Sequence, residues 1–437
     1  MTGGARPATP MRAAGIAALL ALLCAGLAGC KAPSAAQAKR IEPAAAGASY
    51  DKLLAGYDSA IRLAEASTKG ELTSEQTALD LVSLYVERAR LTDDYADYGR
   101  AEDLLARLEP RFKATPGFCL AKARLHFTLH RVAKAKQTLD GCARVLAGNP
   151  ADLGLRADIA FYTGRYKDAG LIYRAMADQL GGTQAYIQLA VYSARTGAPA
   201  EATAFMEAAE KRYLGGDALQ ESWFALQRGL IELDRGRYDQ ARALFAVAEE
   251  RLPGYWLNEE HFAEATRLNG DTTAARKIYE DVVRKTGAPE YLDALAAIDA
   301  DAGNATAATP LLTRAEAIYD QRARRFPEAI AGHALEHYLK AAPQPAKALA
   351  LAQANYANRP YGEAAIALAK AQLLNHRPHD AAQLLERELA KGWDTPEAWW
   401  VLSLAAKASG DAGRAKTASL EALRRNPGSA TQYAFRF

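Results

Sequence analysis

The amino-acid sequence predicts an all-α protein, a right-handed superhelical solenoid of about ten stacked helix pairs. Three observations carry this. An alanine recurs at Ala101, Ala135, Ala169, Ala202, Ala241, Ala275, Ala308, Ala348, Ala381 and Ala415, and seven of the nine steps are 33 or 34 residues. Twelve residues before it, a second small residue stands in nine of the ten units: Ala89, Ala123, Ala157, Ala190, Gly229, Ala263, Ala296, Ala369 and Ser403, with Glu336 the exception. Five residues before it, glycine stands six times, at Gly164, Gly197, Gly236, Gly270, Gly303 and Gly410, while prolines fall at or just past the end of the unit, as at Pro150, Pro253, Pro360 and Pro427.

Each position has a physical reason. The glycine ends a first helix, A, because it enters the left-handed backbone region at no steric cost. The two small residues let helix A and a second helix, B, approach closely. A bulky residue four after the alanine, such as Leu105, Tyr173, Phe245 or Tyr279, fills the gap toward the next pair. Proline stops helix B because it cannot continue the hydrogen-bond ladder. One hairpin cannot cover its own apolar face, so the hairpins stack. The two long steps, 39 and 40 residues, read as insertions, the second around RARRFPEAIAG (322–332).

This period and these positions resemble the tetratricopeptide repeat family over residues 79–427. The early helix-A aromatic of that family is irregular here: Tyr85, Tyr186 and Trp399 supply it, whereas Cys119 and Glu259 stand there elsewhere. Residues 50–78 read as a degenerate N-terminal cap, because GYDSA echoes the start of a helix B. Residues 428–437 read as an aromatic tail over the last open face.

The first 29 residues read as a secretory signal. Arg6 and Arg12 precede the uncharged run AAGIAALLALLCAGLAG, which is shorter than the roughly 20 apolar residues a membrane-spanning helix needs. The final L-A-G-C resembles the bacterial lipobox, which implies lipidation of Cys30. Lys31, where an aspartate is absent, implies delivery to the outer membrane. Two or more acyl chains hold a protein stably at a bilayer. Residues 30–49, with two prolines and no apolar period, read as the tether.

Half of the residues are hydrophobic, enough for a large core, and 54 basic against 51 acidic residues leave no whole-chain attraction to nucleic acid. Cys24 leaves with the signal. Cys119 and Cys142 remain in an oxidising compartment, either paired as a disulfide or sitting as two buried thiols. No Gly-rich phosphate loop, G-x-S-x-G or CxxC pair is present, and no cofactor is implied.

In the tetratricopeptide family, ligand-facing side chains lie on helix A, three before and one after the small residue. The resemblance therefore implies a partner groove containing Arg90 and Arg124 in its first turn, an apolar patch of Ile187, Val191, Leu226 and Leu230, and a carboxylate turn of Glu260, Glu264 and Asp293. His333, His337 and Trp400 follow. The family's carboxylate clamp is missing, so capture of an EEVD-like tail is not implied. An extended peptide or amphipathic helix of an envelope protein would suit the wall. The oligomeric state stays open.

HALEH, residues 333–337, matches H-x-x-E-H, the inverted zinc-protease signature. The repeat itself spaces His333 and His337 one helical turn apart, which makes a polar wall the simpler expectation. Zinc chemistry would need a third ligand and Glu336 facing a bound water. A carboxylate pressed between helices at Glu336 needs a paired charge. The sequence thus points to a non-enzymatic scaffold on a lipid anchor at the periplasmic face of the outer membrane, serving a pilus, outer-membrane protein assembly or exopolysaccharide export. A metal-dependent hydrolase built on repeat eight is the alternative.

Overall fold

The computed structural model describes residues 49–67 and 74–437. Among these, the chain is helical hairpins throughout, with no strand beyond one isolated backbone bridge from Thr196 to Asp394. The cap is α1 (Tyr50–Ser67). Repeat one pairs α2 (Glu75–Thr92) with α3 (Tyr95–Phe112), and repeat two pairs α4 (Pro116–Thr128) with α5 (Val132–Gly141). Repeats three to five are α6 (Pro150–Tyr162) with α7 (Tyr166–Leu180), α8 (Thr183–Arg195) with α9 (Pro199–Arg212), and α10 (Ala218–Asp234) with α11 (Tyr238–Arg251). Repeats six and seven are α12 (Trp256–Leu268) with α13 (Thr272–Thr286), and α14 (Pro289–Asp301) with α15 (Ala305–Ala323). Repeat eight pairs α16 (Pro327–Glu336), continued by a π-turn (His337–Ala341), with α17 (Pro345–Asn358). Repeats nine and ten are α18 (Gly362–Leu374) with α19 (Pro378–Lys391), and α20 (Pro396–Ala408) with α21 (Ala412–Arg425), before the short α22 (Ser429–Gln432).

The alanine ladder is the seam between paired helices. Ala101, Ala135, Ala169, Ala202, Ala241, Ala275, Ala348 and Ala381 are wholly buried, as are Ala89, Ala123, Ala157, Ala190, Ala263 and Ala369 opposite them. At Gly229 an added Cβ would lie 2.3 Å from the Phe245 ring, so even alanine is too large there. All six repeat glycines adopt positive φ, from 72° at Gly236 to 96° at Gly270. Repeats two and nine place His130 (φ 59°) and His376 (φ 55°) at the same point. Repeat eight has Pro343 there, and its helix A ends through the π-turn instead, with Ala342 N donating to His337 O at 2.9 Å.

The superhelix closes on itself, repeat n meeting repeat n + 6. Asp93 of repeat one forms an ion pair with Arg322 of repeat seven at 2.8 Å, and Arg131 of repeat two pairs with Glu328 of repeat eight at 3.2 Å. The Tyr166 hydroxyl of repeat three accepts from Gly362 N at 2.8 Å and donates to Glu388 of repeat nine at 3.2 Å. Asp394 N donates to Arg195 O at 2.9 Å, joining repeats four and ten, and Tyr238 of repeat five reaches Gln432 at 3.2 Å. Residues of the second insertion therefore make turn-to-turn contacts. Arg322 reaches Asp93, and Arg325 reaches Asp103 at 2.9 Å.

The cap joins the same closure. Tyr50 N donates to Pro253 O at 3.0 Å, and the Tyr50 hydroxyl and Trp256 Nε1 both donate to Leu91 O, at 2.7 and 2.6 Å. At the other end, Tyr433 and Phe435 of the tail are buried.

Candidate functional site: the inner wall of the superhelix

The helix-A positions singled out from the sequence are all buried or half-buried. Ile187 and Leu226 sit in the apolar core, while Val191 and Leu230 keep partial exposure. Arg90 is buried and pairs with Glu87 at 2.8 Å and with the Thr128 hydroxyl at 3.3 Å. Arg124 and Trp400 are half-buried. Cys119 and Cys142 form a disulfide, with Cα atoms 6.2 Å apart, tying the starts of α4 and the loop after α5. Cys30, the signal and nearly all of the tether lie outside the described residues.

Repeats six to eight form a buried ionic wall. His333 Nδ1 stands 2.8 Å from Glu290 Oε1, and His337 Nδ1 stands 2.8 Å from Asp293 Oδ1. The Tyr319 hydroxyl also donates to Asp293, at 3.2 Å. Burial pushes the Asp293 carboxyl up, and His337 pulls against it. At Glu290 burial also raises the carboxyl, but His333 and Arg322 outweigh it and hold the group below its usual range. Glu260 is fully buried with His261 and Glu264 beside it. Burial and the Glu264 and Glu290 charges push its carboxyl well above the carboxylate range.

The HALEH signature is divided by the fold. Its two histidines turn to carboxylates of α14, whereas Glu336 pairs with Lys340 at 2.8 Å and lies 3.5 Å from Lys370. Lys370 also meets Glu397 at 2.8 Å. Burial raises the Glu336 carboxyl, but the two lysines more than offset this and hold it low. The glutamate at the otherwise small position is thus charged and compensated, and it does not face a site shared by His333 and His337.

Two participants were not singled out from the sequence, His261 and Glu290. Glu-His-x-x-Glu at 260–264 was visible as a motif, but nothing in the repeat pattern says that His261 turns inward with its neighbours. Glu290 opens α14, just after Pro289, where a carboxylate reads as an ordinary first-turn charge.

The fold and wall define a class: a tetratricopeptide-type solenoid of helical hairpins. No family model matches the chain. It is 40% identical over 98 residues, 22% of its length, to "Cellulose synthase 2 operon protein C" of Komagataeibacter xylinus, and spans only 7% of that protein. Similar solved structures include the APC/C hetero-tetramer Cut9-Hcn1 (14% identity, 82% of this chain and 73% of that one, TM-score 0.44). A tetratricopeptide repeat protein from Parabacteroides merdae (16%, 58% and 98%, 0.38) and yeast Tom70 (14%, 82% and 96%, 0.35) are also similar. No helix among the described residues is long and apolar enough to cross a membrane.

Proposed function

We propose that the chain is a non-enzymatic scaffold lipoprotein of the bacterial cell envelope, anchored through Cys30 at the periplasmic face of the outer membrane. It holds a protein or peptide partner for assembly of an exopolysaccharide-export complex. The observation that carries this reading is a leader ending in L-A-G-C joined to a hairpin solenoid that shares a 98-residue stretch with a cellulose synthase operon protein. Hairpin solenoids offer long surfaces on which a handful of side chains read a partner. Arg124, Val191, Leu230 and Trp400, which keep exposure on the inner wall, are the residues for that contact. Buried Ile187, Leu226, Asp293 and His337 set its shape.

Two experiments test it in the producing organism. Cys30→Ser is expected to move the protein from membranes to the soluble fraction, and continued membrane binding would contradict the anchor. A photo-crosslinker at Trp400 or Leu230 is expected to capture a component of an exopolysaccharide-export assembly, while one at exposed Leu171 is not. Identical capture from both faces would contradict a partner on the wall.

A further inference from the structure

We infer that repeat six holds a divalent transition-metal ion between Glu260, His261 and Glu264, on the inner face of α12. Each residue offers one ligand atom, and these atoms lie within 4.8 Å of one another. All three side chains are buried, Glu260 completely. His261 Nε2 is 3.1 Å from Glu260 Oε1, and His261 Nδ1 is 3.5 Å from Glu264 Oε2. The imidazole is held flat against Phe245, ring centres 5.5 Å apart.

A second observation points to a ligand. Neither carboxylate oxygen of Glu260 accepts a hydrogen bond, although the residue has no exposure at all. A buried carboxylate is costly unless it is hydrogen-bonded, protonated or bound to a cation. The His261–Glu260 approach is close, yet it does not have the alignment of a hydrogen bond. That is the arrangement of atoms aimed at a shared centre rather than at each other. Metal–ligand bonds of about 2.0–2.2 Å would be reached by small side-chain rotations.

Charge makes the same case. With the ion bound, both carboxyls are deprotonated, and a divalent ion cancels the two negative charges they carry beside a neutral imidazole. Glu290, whose charge also acts on Glu260, is already paired with His333. One imidazole with two carboxylates suits zinc, iron, manganese or nickel rather than calcium, whose sites are built from oxygen alone. The ion would be structural. It would fix helix A of repeat six where the cap's Tyr50 and repeat six's Trp256 converge on Leu91 O. This inference is independent of the scaffold reading above, since it concerns the stability of the coil and not its partner.

The test uses the full chain and zinc alone as probe. The protein is produced with added zinc, gel-filtered, and its metal content measured. Its melting temperature is then compared in zinc and in chelator. About one zinc per chain is expected, with a melting temperature several degrees higher in zinc than in chelator. Glu260→Gln combined with Glu264→Gln removes the ligands while keeping their shape. It is expected to weaken zinc binding at least about tenfold and to abolish the shift. His333→Ala with His337→Ala is expected to keep the zinc. A folded wild-type chain without stoichiometric zinc overturns the inference, as does zinc retained by the double glutamine variant or lost with the His333 and His337 variant. Should the double glutamine variant fail to fold, Glu264→Gln alone is read against the same outcomes.

Discussion

Arg131 and Glu328 are 197 residues apart in sequence and pair at 3.2 Å in space, at the point where repeat eight passes over repeat two. The Arg131 guanidinium also donates to Arg325 O at 3.3 Å and pairs with Glu102 of its own turn. A hairpin solenoid is usually stabilised by neighbour contacts alone. Here such contacts are joined by a second set linking one turn of the coil to the next.

Arg322→Ala removes the partner of Asp93, whose carboxyl burial already pushes up against the pull of Arg322. The two side chains are 14% and 21% exposed, so the loss is expected to be about 1–3 kcal/mol, below that of a fully buried pair. Urea unfolding measures it. Small-angle scattering is expected to show a larger radius of gyration, because the coil opens at the insertion.

His376 is exposed and sits at the left-handed position that six repeats give to glycine. A non-glycine residue there costs roughly 1–2 kcal/mol, partly offset by glycine's greater freedom in the unfolded chain. His376→Gly is therefore expected to stabilise by about 0.5–1 kcal/mol, and Gly410→Ala to destabilise by a similar amount. Paired melting curves of the two variants check both signs.

Asp158 accepts hydrogen bonds from the Tyr173 hydroxyl at 2.8 Å and Gln188 Nε2 at 2.9 Å, yet burial pushes its carboxyl up to about 7. The folded form therefore binds this proton more tightly than the unfolded form. Its stabilising contribution is full below about pH 4 and is lost as pH rises through 7. Asp158→Asn keeps the acceptor and removes the charge. The variant is expected to gain about 1–2 kcal/mol relative to wild type at pH 8 and little at pH 4.5, as read by denaturant unfolding at the two values.

The Cys119–Cys142 disulfide closes a short loop around α5. Replacing both cysteines by alanine is expected to cost about 2–4 kcal/mol through the unfolded chain's regained freedom. Thermal unfolding under oxidising and reducing conditions measures this, and the alanine variant should not respond to reductant.

Local structure was legible in the sequence because each hairpin repeats the same solution. Ala101 through Ala381 fall on the buried seam, and the six glycines turn where their spacing placed them. His130 and His376 take the same backbone shape without the residue type that announces it. The closure of the coil was not legible. Arg131, Tyr166, Arg195 and Arg322 meet partners about two hundred residues away, and no period relates such pairs. The wall positions from Arg90 to Trp400 were carried over from the family resemblance, and their burial, complete at Glu260 and His337 and partial at Val191 and Leu230, was not legible from it. Likewise, the spacing of HALEH gives one helical turn between His333 and His337. Only the packing of α14 and α18 shows that Glu336 belongs to lysines and the histidines to Glu290 and Asp293.

The closed coil is tested most directly at the bridge between Thr196 and Asp394, whose backbones meet where Asp394 N donates to Arg195 O at 2.9 Å. Cysteines at both positions would lie within the roughly 4.4–6.8 Å Cα separation that a disulfide spans. Mild oxidation of Thr196→Cys/Asp394→Cys is expected to join the two sites within one chain, giving a faster-migrating band and a cross-linked peptide by mass spectrometry. Failure of the pair to cross-link, or cross-linking only between chains, would contradict a superhelix in which repeat four meets repeat ten.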